Sequence, residues 1–204
     1  PKTNTVTGKT IMEGGLISGN TAKGTVVPSD YDASTYKDIG GAGVYIARGI
    51  MDITGGTIEN NISTCGVGDA ILVSHAGKNT AAGILTIKDG TFDGKIALAE
   101  NCAAGQVTGG AFSEEIPAGL LAAGVESVEQ DGVHYVGTKH KIIIEPSDYG
   151  TITANVTEAV KGQPIKLTIT PKEGYEVDKI VLCVALGAED IGDTFIMPEA
   201  DAEI

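Results

Sequence analysis

The apolar positions in the first half of the chain recur around glycine pairs. Gly49–Asn61 reads Gly-Ile-Met-Asp-Ile-Thr-Gly-Gly-Thr-Ile-Glu-Asn-Asn, and Gly83–Gly94 repeats the pattern as Gly-Ile-Leu-Thr-Ile-Lys-Asp-Gly-Thr-Phe-Asp-Gly. Shorter copies occupy Thr10–Asn20 and Gln106–Ser113. Aligned on Gly15, Gly56, Gly90 and Gly110, one column holds Met12, Ile53, Ile87 and Val107, and a second holds Ile17, Ile58, Phe92 and Phe112. Asp52, Thr54, Thr86 and Lys88 alternate with these, which is the period of a half-buried strand. A second apolar type lies between the copies, in Gly43–Ala47, Ala70–Ser74 and Lys95–Ala99, with successive starts 27 and 25 residues apart.

A repeat of that length predicts a parallel solenoid. Each coil donates short strands to parallel sheets, equivalent residues stack at the strand spacing of about 4.8 Å, and inward columns stay apolar throughout. The aligned glycines sit 41, 34 and 20 residues apart, so loops absorb the variation. The glycines serve corners that need φ > 0 or leave no room for a Cβ. Asn20, Asn60, Asn61 and Asn101 fall at coil corners, where asparagine can take αL and bond neighbouring backbone. Residues 21–42 break the pattern as a polar insertion, placed on a loop. Residues 114–124 suit a capping helix with Ser113 as N-cap and Gly124 as C′, which would turn Ile116, Leu120 and Leu121 onto the last coil. Val125–Val128 and Val133–Val136 then flank Asp131-Gly132 as a hairpin.

Gly40–Ile46 and Gly55–Asn61 resemble the Gly-Gly-Gly-Val-Tyr-Ile and Gly-Gly-Thr-Ile-x-x-Asn runs of the right-handed parallel β-helix in bacterial surface and adhesin-like proteins. The resemblance covers residues 10–113. It implies an all-β fold of about four irregular coils over residues 1–137, closed by a short capping helix.

Residues 138–204 read as a separate small all-β domain. Strands are expected at Lys141–Glu145, Gly150–Asn155, Pro164–Thr170, Glu176–Cys183 and Thr194–Met197, with turns between them and no long helix. Gly150–Ala154, Ala159–Gly162, Ile165–Pro171, Gly174–Val177 and Thr194–Pro198 resemble the divergent internalin-B-type repeat, a spacer of large secreted bacterial proteins. The strand that usually closes that repeat is missing or cut short at Ala202-Glu203-Ile204.

Composition narrows the function. The 204 residues carry a formal charge of −13, and the two halves are similarly acidic, at −7 through residue 137 and −6 after it. Phosphate backbones would be repelled, so nucleic acid is not an expected partner. No apolar run is long enough to span a membrane. The chain opens on Pro-Lys-Thr-Asn-Thr, which reads as a piece of a longer protein, so a missing signal peptide carries no information. Cys65, Cys102 and Cys183 have no metal-ligand spacing and, being three, exclude a complete disulfide framework; a Cys65–Cys102 bridge does not follow from the sequence.

Candidate chemistry is sparse. Parallel β-helices also host pectate lyases and polygalacturonases, so a carbohydrate-active enzyme, or a glycan-binding relic of one, is the alternative reading. A lyase of that class uses an Arg or Lys base beside calcium-holding carboxylates. Arg48, the only arginine, would share an outward face with Asp52 and Lys88. His75, His134 and His140 are isolated, and no nucleophile elbow is present. No cofactor is expected. Asp30, Asp32 and Asp38 could supply oxygen ligands to calcium, but without EF-hand order. The preferred expectation is a non-catalytic fragment of a secreted or wall-attached bacterial surface protein that displays loops to a glycan or to a host or matrix protein. The contact residues expected are Asp30, Tyr31, Asp32, Tyr36, Tyr45 and Arg48, the tyrosines for their amphipathic rings.

Overall fold

A computed structural model describes residues 8–23, 40–47, 49–74, 82–99, 102, 105–184 and 187–204. The protein is all-β and divides into two compact units, Pro1–Val136 and Gly137–Ile204.

In the first unit, short strands return to the same parallel sheets. Lys9–Met12, Ile50–Ile53, Ile84–Ile87 and Gly105–Val107 form one sheet, with Met12, Ile53, Ile87 and Val107 in register. Leu16–Ser18, Thr57–Glu59, Thr91–Phe92 and Gly110–Phe112 form a second, which stacks Ile17, Ile58, Phe92 and Phe112. Val44–Ile46, Ile71–Val73 and Ile96–Leu98 form a third. Both sequence columns are therefore physical columns. Their members from Ile53 and Ile58 onward are buried, whereas Met12 and Ile17 in the first pass are only partly covered. Phe92 and Phe112 lie ring on ring, with centroids 4.8 Å apart and planes 10° apart. That spacing matches adjacent strands, so the rings follow the backbone ladder.

Corners obey the same register. Gly15, Gly56, Gly90 and Gly110 all have positive φ, from 92° to 128°, so each copy enters its second strand through a conformation that disfavours a side chain. Gly43 answers to space instead: a Cβ there would lie 2.5 Å from the Ala70 carbonyl oxygen and 2.8 Å from the Ile58 side chain. Asn60 takes φ 54°. Buried Asn61 donates through Nδ2 to the Ile17 carbonyl (3.0 Å), and its Oδ1 accepts from Asn20 N–H (3.0 Å) and Nδ2 (2.9 Å). Buried amides are tolerated when their partners are supplied, and here the previous pass supplies them.

The expected capping helix is not formed. Only Ala118–Leu120 make one 3-10 turn, and its flanks Pro117 and Leu121 are extended, with ψ 122° and 129°. A lone turn is a poor helix nucleus. Leu121 instead bridges Val107 in parallel, and Ala122 N–H donates to the Val107 carbonyl (3.1 Å). The apolar contacts expected of the cap do form, since Ile116 and Leu120 are buried in the core cluster and Leu121 packs against it. Glu126–Gln130 and Val133–Gly137 follow as the expected hairpin, turning at Asp131 (φ 54°) and Gly132 (φ 79°). Val133–Gly137 pairs antiparallel with Gly110–Phe112 and ends the parallel run.

The second unit has two sheets. One orders Glu158–Val160, Lys139–Ile143, Ala202–Glu203, Ile180–Val184 and Gly187–Ile191; the other orders Gly150–Ala154, Pro164–Pro171 and Thr194–Ile196. Ile142, Ala159, Ile165, Leu167, Ile180, Leu182, Phe195 and Met197 are buried in its core. The strand expected from Glu176 begins only at Ile180, because residues 176–179 are exposed and have no ladder partner. Ala202–Glu203, expected as a missing or shortened closing strand, pairs parallel with Ile142–Ile143 and meets Cys183 antiparallel.

If the stacked columns hold the first unit together, Ile58→Ala should lower its unfolding free energy by about 2–5 kcal/mol. Ile62→Ala, at a position 60% exposed, should change it by less than about 0.5 kcal/mol. Denaturant titrations of the two variants, if equal, would remove the column from that role.

Candidate functional site

The expected contact residues Asp30, Tyr31, Asp32, Tyr36 and Arg48 lie outside the described residues, as does Asp38 of the candidate calcium ligands. Tyr45 is described. It sits on Val44–Ile46 in register with Leu72 and Ala97, and it is 42% exposed. Leu72 is nevertheless buried, although it belongs to the outward column, because Gly41 and Gly68 approach its Cβ. The glycine loops thus cover this outer face and leave the Tyr45 ring partly in solvent.

On the first sheet Asp52 and Thr86 align in register, as expected. The Asp52 carboxylate is engaged: Lys9 Nζ lies 2.5 Å from Oδ2. The Lys9 hydrogen bond holds the Asp52 carboxyl below its ordinary range. Desolvation opposes this, and the Lys9 charge, the Thr86 hydroxyl and the Lys88 charge reinforce it. Lys9 is therefore the described residue that ion-pairs with Asp52. Among the described residues, no group of three or more His, Cys, Asp or Glu could hold a metal ion.

A thiol environment forms at Cys65, to which the sequence assigned neither a metal spacing nor a disulfide partner. Cys65 is half-buried and follows the short strand Ile62–Ser63. Gly40 N–H donates to Cys65 Sγ at 3.3 Å, and Ser63 Oγ lies 3.1 Å from the same sulfur. A Cβ on Gly40 would lie 1.6 Å from the Val67 carbonyl oxygen, so only glycine brings that N–H so close. Burial pushes the Cys65 thiol up, but the Ser63 hydroxyl and the N–H groups of Gly40, Val67 and Cys65 outweigh it, and the thiol lies below its usual value. Cys102 is buried and pushed up by burial alone. Both are free thiols, and no bridge joins them. The donors around Cys65 favour its thiolate, the nucleophilic form.

The second unit carries an open groove of 170 Å³. Its floor is Ile152, Ile169 and Ile180, and its rim includes Tyr149, Glu176, Asp178 and Lys179. Tyr149 and Tyr175, both more than half exposed, pack at 5.1 Å with planes tilted 43°. Lys172 Nζ donates to the Asp148 carbonyl (2.6 Å), and Lys172 N–H donates to the Tyr149 carbonyl (2.9 Å), which fixes the turns that carry the rings. Sequence reasoning missed this site. Its signal was two tyrosines beside turn glycines, in Tyr149-Gly150 and Gly174-Tyr175.

Two measurements follow. At a pH just below the ordinary thiol range, iodoacetamide should label Cys65 about tenfold faster than Cys102, and Ser63→Ala should narrow the gap; equal rates by mass spectrometry would contradict the thiolate assignment. Because the Asp52 pKa is lowered in the folded state, its contribution to stability is present above the unfolded carboxyl pKa and is lost as pH falls through the folded value. Asp52→Asn should therefore lower Tm at neutral pH and have no effect in strong acid; a pH-independent difference would refute the linkage.

No solved structure matches the chain. Among curated proteins it is similar to tryptophan synthase beta chains of Staphylococcus aureus strains JH9, Newman and JH1, each 28% identical over 192 residues, covering 83% of this chain and 46% of theirs. The chain thus spans about half the length of the curated relatives it matches. Residues 140–204 match the divergent InlB B-repeat domain family, and repeats of that type occur in bacterial surface proteins.

Proposed function

We infer that this chain is a non-catalytic segment of a secreted or wall-attached bacterial surface protein. Its first unit is a parallel β-helix that presents loops to a glycan or to a host or matrix protein, and its second is a spacer repeat. The match of residues 140–204 to the InlB-type repeat carries the inference. Three parallel ladders with in-register apolar columns support the β-helix. A stack of short strands is stiff because each pass is held by the next, which suits display. Tyr45 is the described residue on the first unit best suited to contact, with its ring part-exposed beside a loop-covered face.

Lyase chemistry fits less well. A base beside calcium-holding carboxylates needs carboxylates free to bind a cation, and Asp52 is paired with Lys9.

The test is a pair of assays on the purified chain: binding to a glycan array and to immobilised matrix proteins, and release of unsaturated products from acidic polysaccharides. Binding without product release is expected, and Tyr45→Ala should weaken it. Unsaturated product that depends on calcium and disappears in Arg48→Ala would overturn the reading.

A further inference from the structure

The groove of the second unit lies at a free sheet edge. Gly150–Ala154 ladders with Pro164–Pro171 on one side, and among the described residues no strand pairs with its other side. The ladder continues outward with Lys172 N–H to the Tyr149 carbonyl and Asn155 N–H to the Lys166 carbonyl. Residues 149, 151, 153 and 155 therefore turn their backbone groups towards that partner, and Gly150, Ile152 and Ala154 turn theirs away, as antiparallel alternation requires. Those backbone groups are a template for one more strand.

Ile152 is the ladder partner of Ile169, and both line the groove with Ile180 of the facing sheet. Residues directly opposed in a sheet share a face. A strand added along Gly150–Ala154 would thus send the side chain opposite Ile152 into the groove. That side chain would enter a groove lined by Ile152, Ile169 and Ile180 and, at its rim, by the acidic residues Glu176 and Asp178. Lysine and arginine have matching parts: a methylene stem that lies on apolar surface and a charge complementary to acidic residues. The groove's volume of 170 Å³ is below the usual range for a small-molecule pocket and suits one side chain. Lys179 on the rim opposes the incoming charge, but the unit as a whole has 12 acidic against 6 basic residues after position 137.

We propose that the second unit takes a basic, extended peptide segment of a partner protein along the free edge of Gly150–Ala154, with a lysine or arginine side chain laid into the groove beside Ile152, Ile169 and Ile180, towards Glu176 and Asp178. The partner gains main-chain hydrogen bonds from the edge and selectivity from the groove, the division of labour of strand addition. This stands apart from the surface-protein reading, because it concerns only what the second unit recognises.

The experiment titrates the full chain with acetyl-Val-Lys-Val-Lys-Val-Lys-amide and with the same peptide carrying glutamate for lysine. It is read by amide NMR shifts and hydrogen exchange. The lysine peptide should shift Tyr149 and Tyr175 and slow exchange at Gly150, Ile152 and Ala154. The glutamate peptide should bind about tenfold more weakly or not at all. Combined Glu176→Gln and Asp178→Asn, both on exposed residues that leave the core intact, should cost the lysine peptide about tenfold in affinity. Raising salt from about 50 to about 500 mM should weaken the lysine peptide in the same direction. Equal binding of the two peptides, binding that leaves the three edge amides unprotected, or an unchanged double variant would overturn the proposal. So would displacement of the peptide by a neutral cello-oligosaccharide, which would assign the groove to sugars.

Discussion

The first unit depends on one constraint: every pass of the chain must present apolar side chains at the same height as the pass beside it. A strand of three or four residues has too few side chains to enclose a core. Ile58 is fully buried because Ile17 and Phe92 flank it in register, and Phe92 because Phe112 lies against it. Registry makes burial cooperative between neighbours. It also sets what the corners can hold. Positive φ recurs at Gly15, Gly56, Gly90 and Gly110, where the backbone turns between two stacked strands. Asn61 joins two passes through three hydrogen bonds that neither pass could make alone.

That constraint explains why the sequence was legible where it was. Period-two alternation and the glycine positions report which residues share a column, and the ladder follows from them. The third strand type was legible as a run of apolar residues but not in its detail. Leu72 faces outward and is still buried, because the loops at Gly41 and Gly68 close over it. Such coverage depends on chain approach across distant residues, and a local pattern carries no trace of it. The helix expected over residues 114–124 failed for a related reason. Its apolar spacing was right for contact with the last pass, but Leu121 gains a bridge to Val107 that a continuous helix would forbid. Tertiary pairing prevailed over local propensity, while the buried positions Ile116 and Leu120 stayed the same.

The second unit shows the complementary limit. Glu158–Val160 and Gly187–Ile191 are strands without strong alternation, since the former is short and the latter mostly exposed. Their identity comes from the partners they meet, Lys139–Ile143 and Ile180–Val184. The candidate sites were less legible than the fold. The donors around the Cys65 sulfur come partly from Gly40, 25 residues away, and no spacing rule connects them. The tyrosine pair and groove likewise need the strand at Gly150 and the segment before Ile180 to converge.

One edge of the first unit's two longer sheets is closed, whereas an edge of the second unit stays open, and the difference bears on function. In the first, Val133–Gly137 enters the second sheet antiparallel beside Gly110–Phe112, and the Leu121 bridge caps the last strand of the first sheet. A further parallel pass would have to displace both. Closing an edge in this way suppresses unplanned pairing. In the second unit, Gly150–Ala154 carries no lysine or proline, the residues that commonly blunt an edge, and Thr151 and Thr153 are exposed on its outer face. Threonine favours strand geometry and offers no charge to repel a partner. The acidic groups stand beside this edge rather than on it, at Glu176 and Asp178. They repel an acidic strand, including one from another copy of this acidic chain, and leave the backbone open to a basic one. The arrangement thus limits self-pairing through the sign of the charge and leaves recognition by an oppositely charged segment intact.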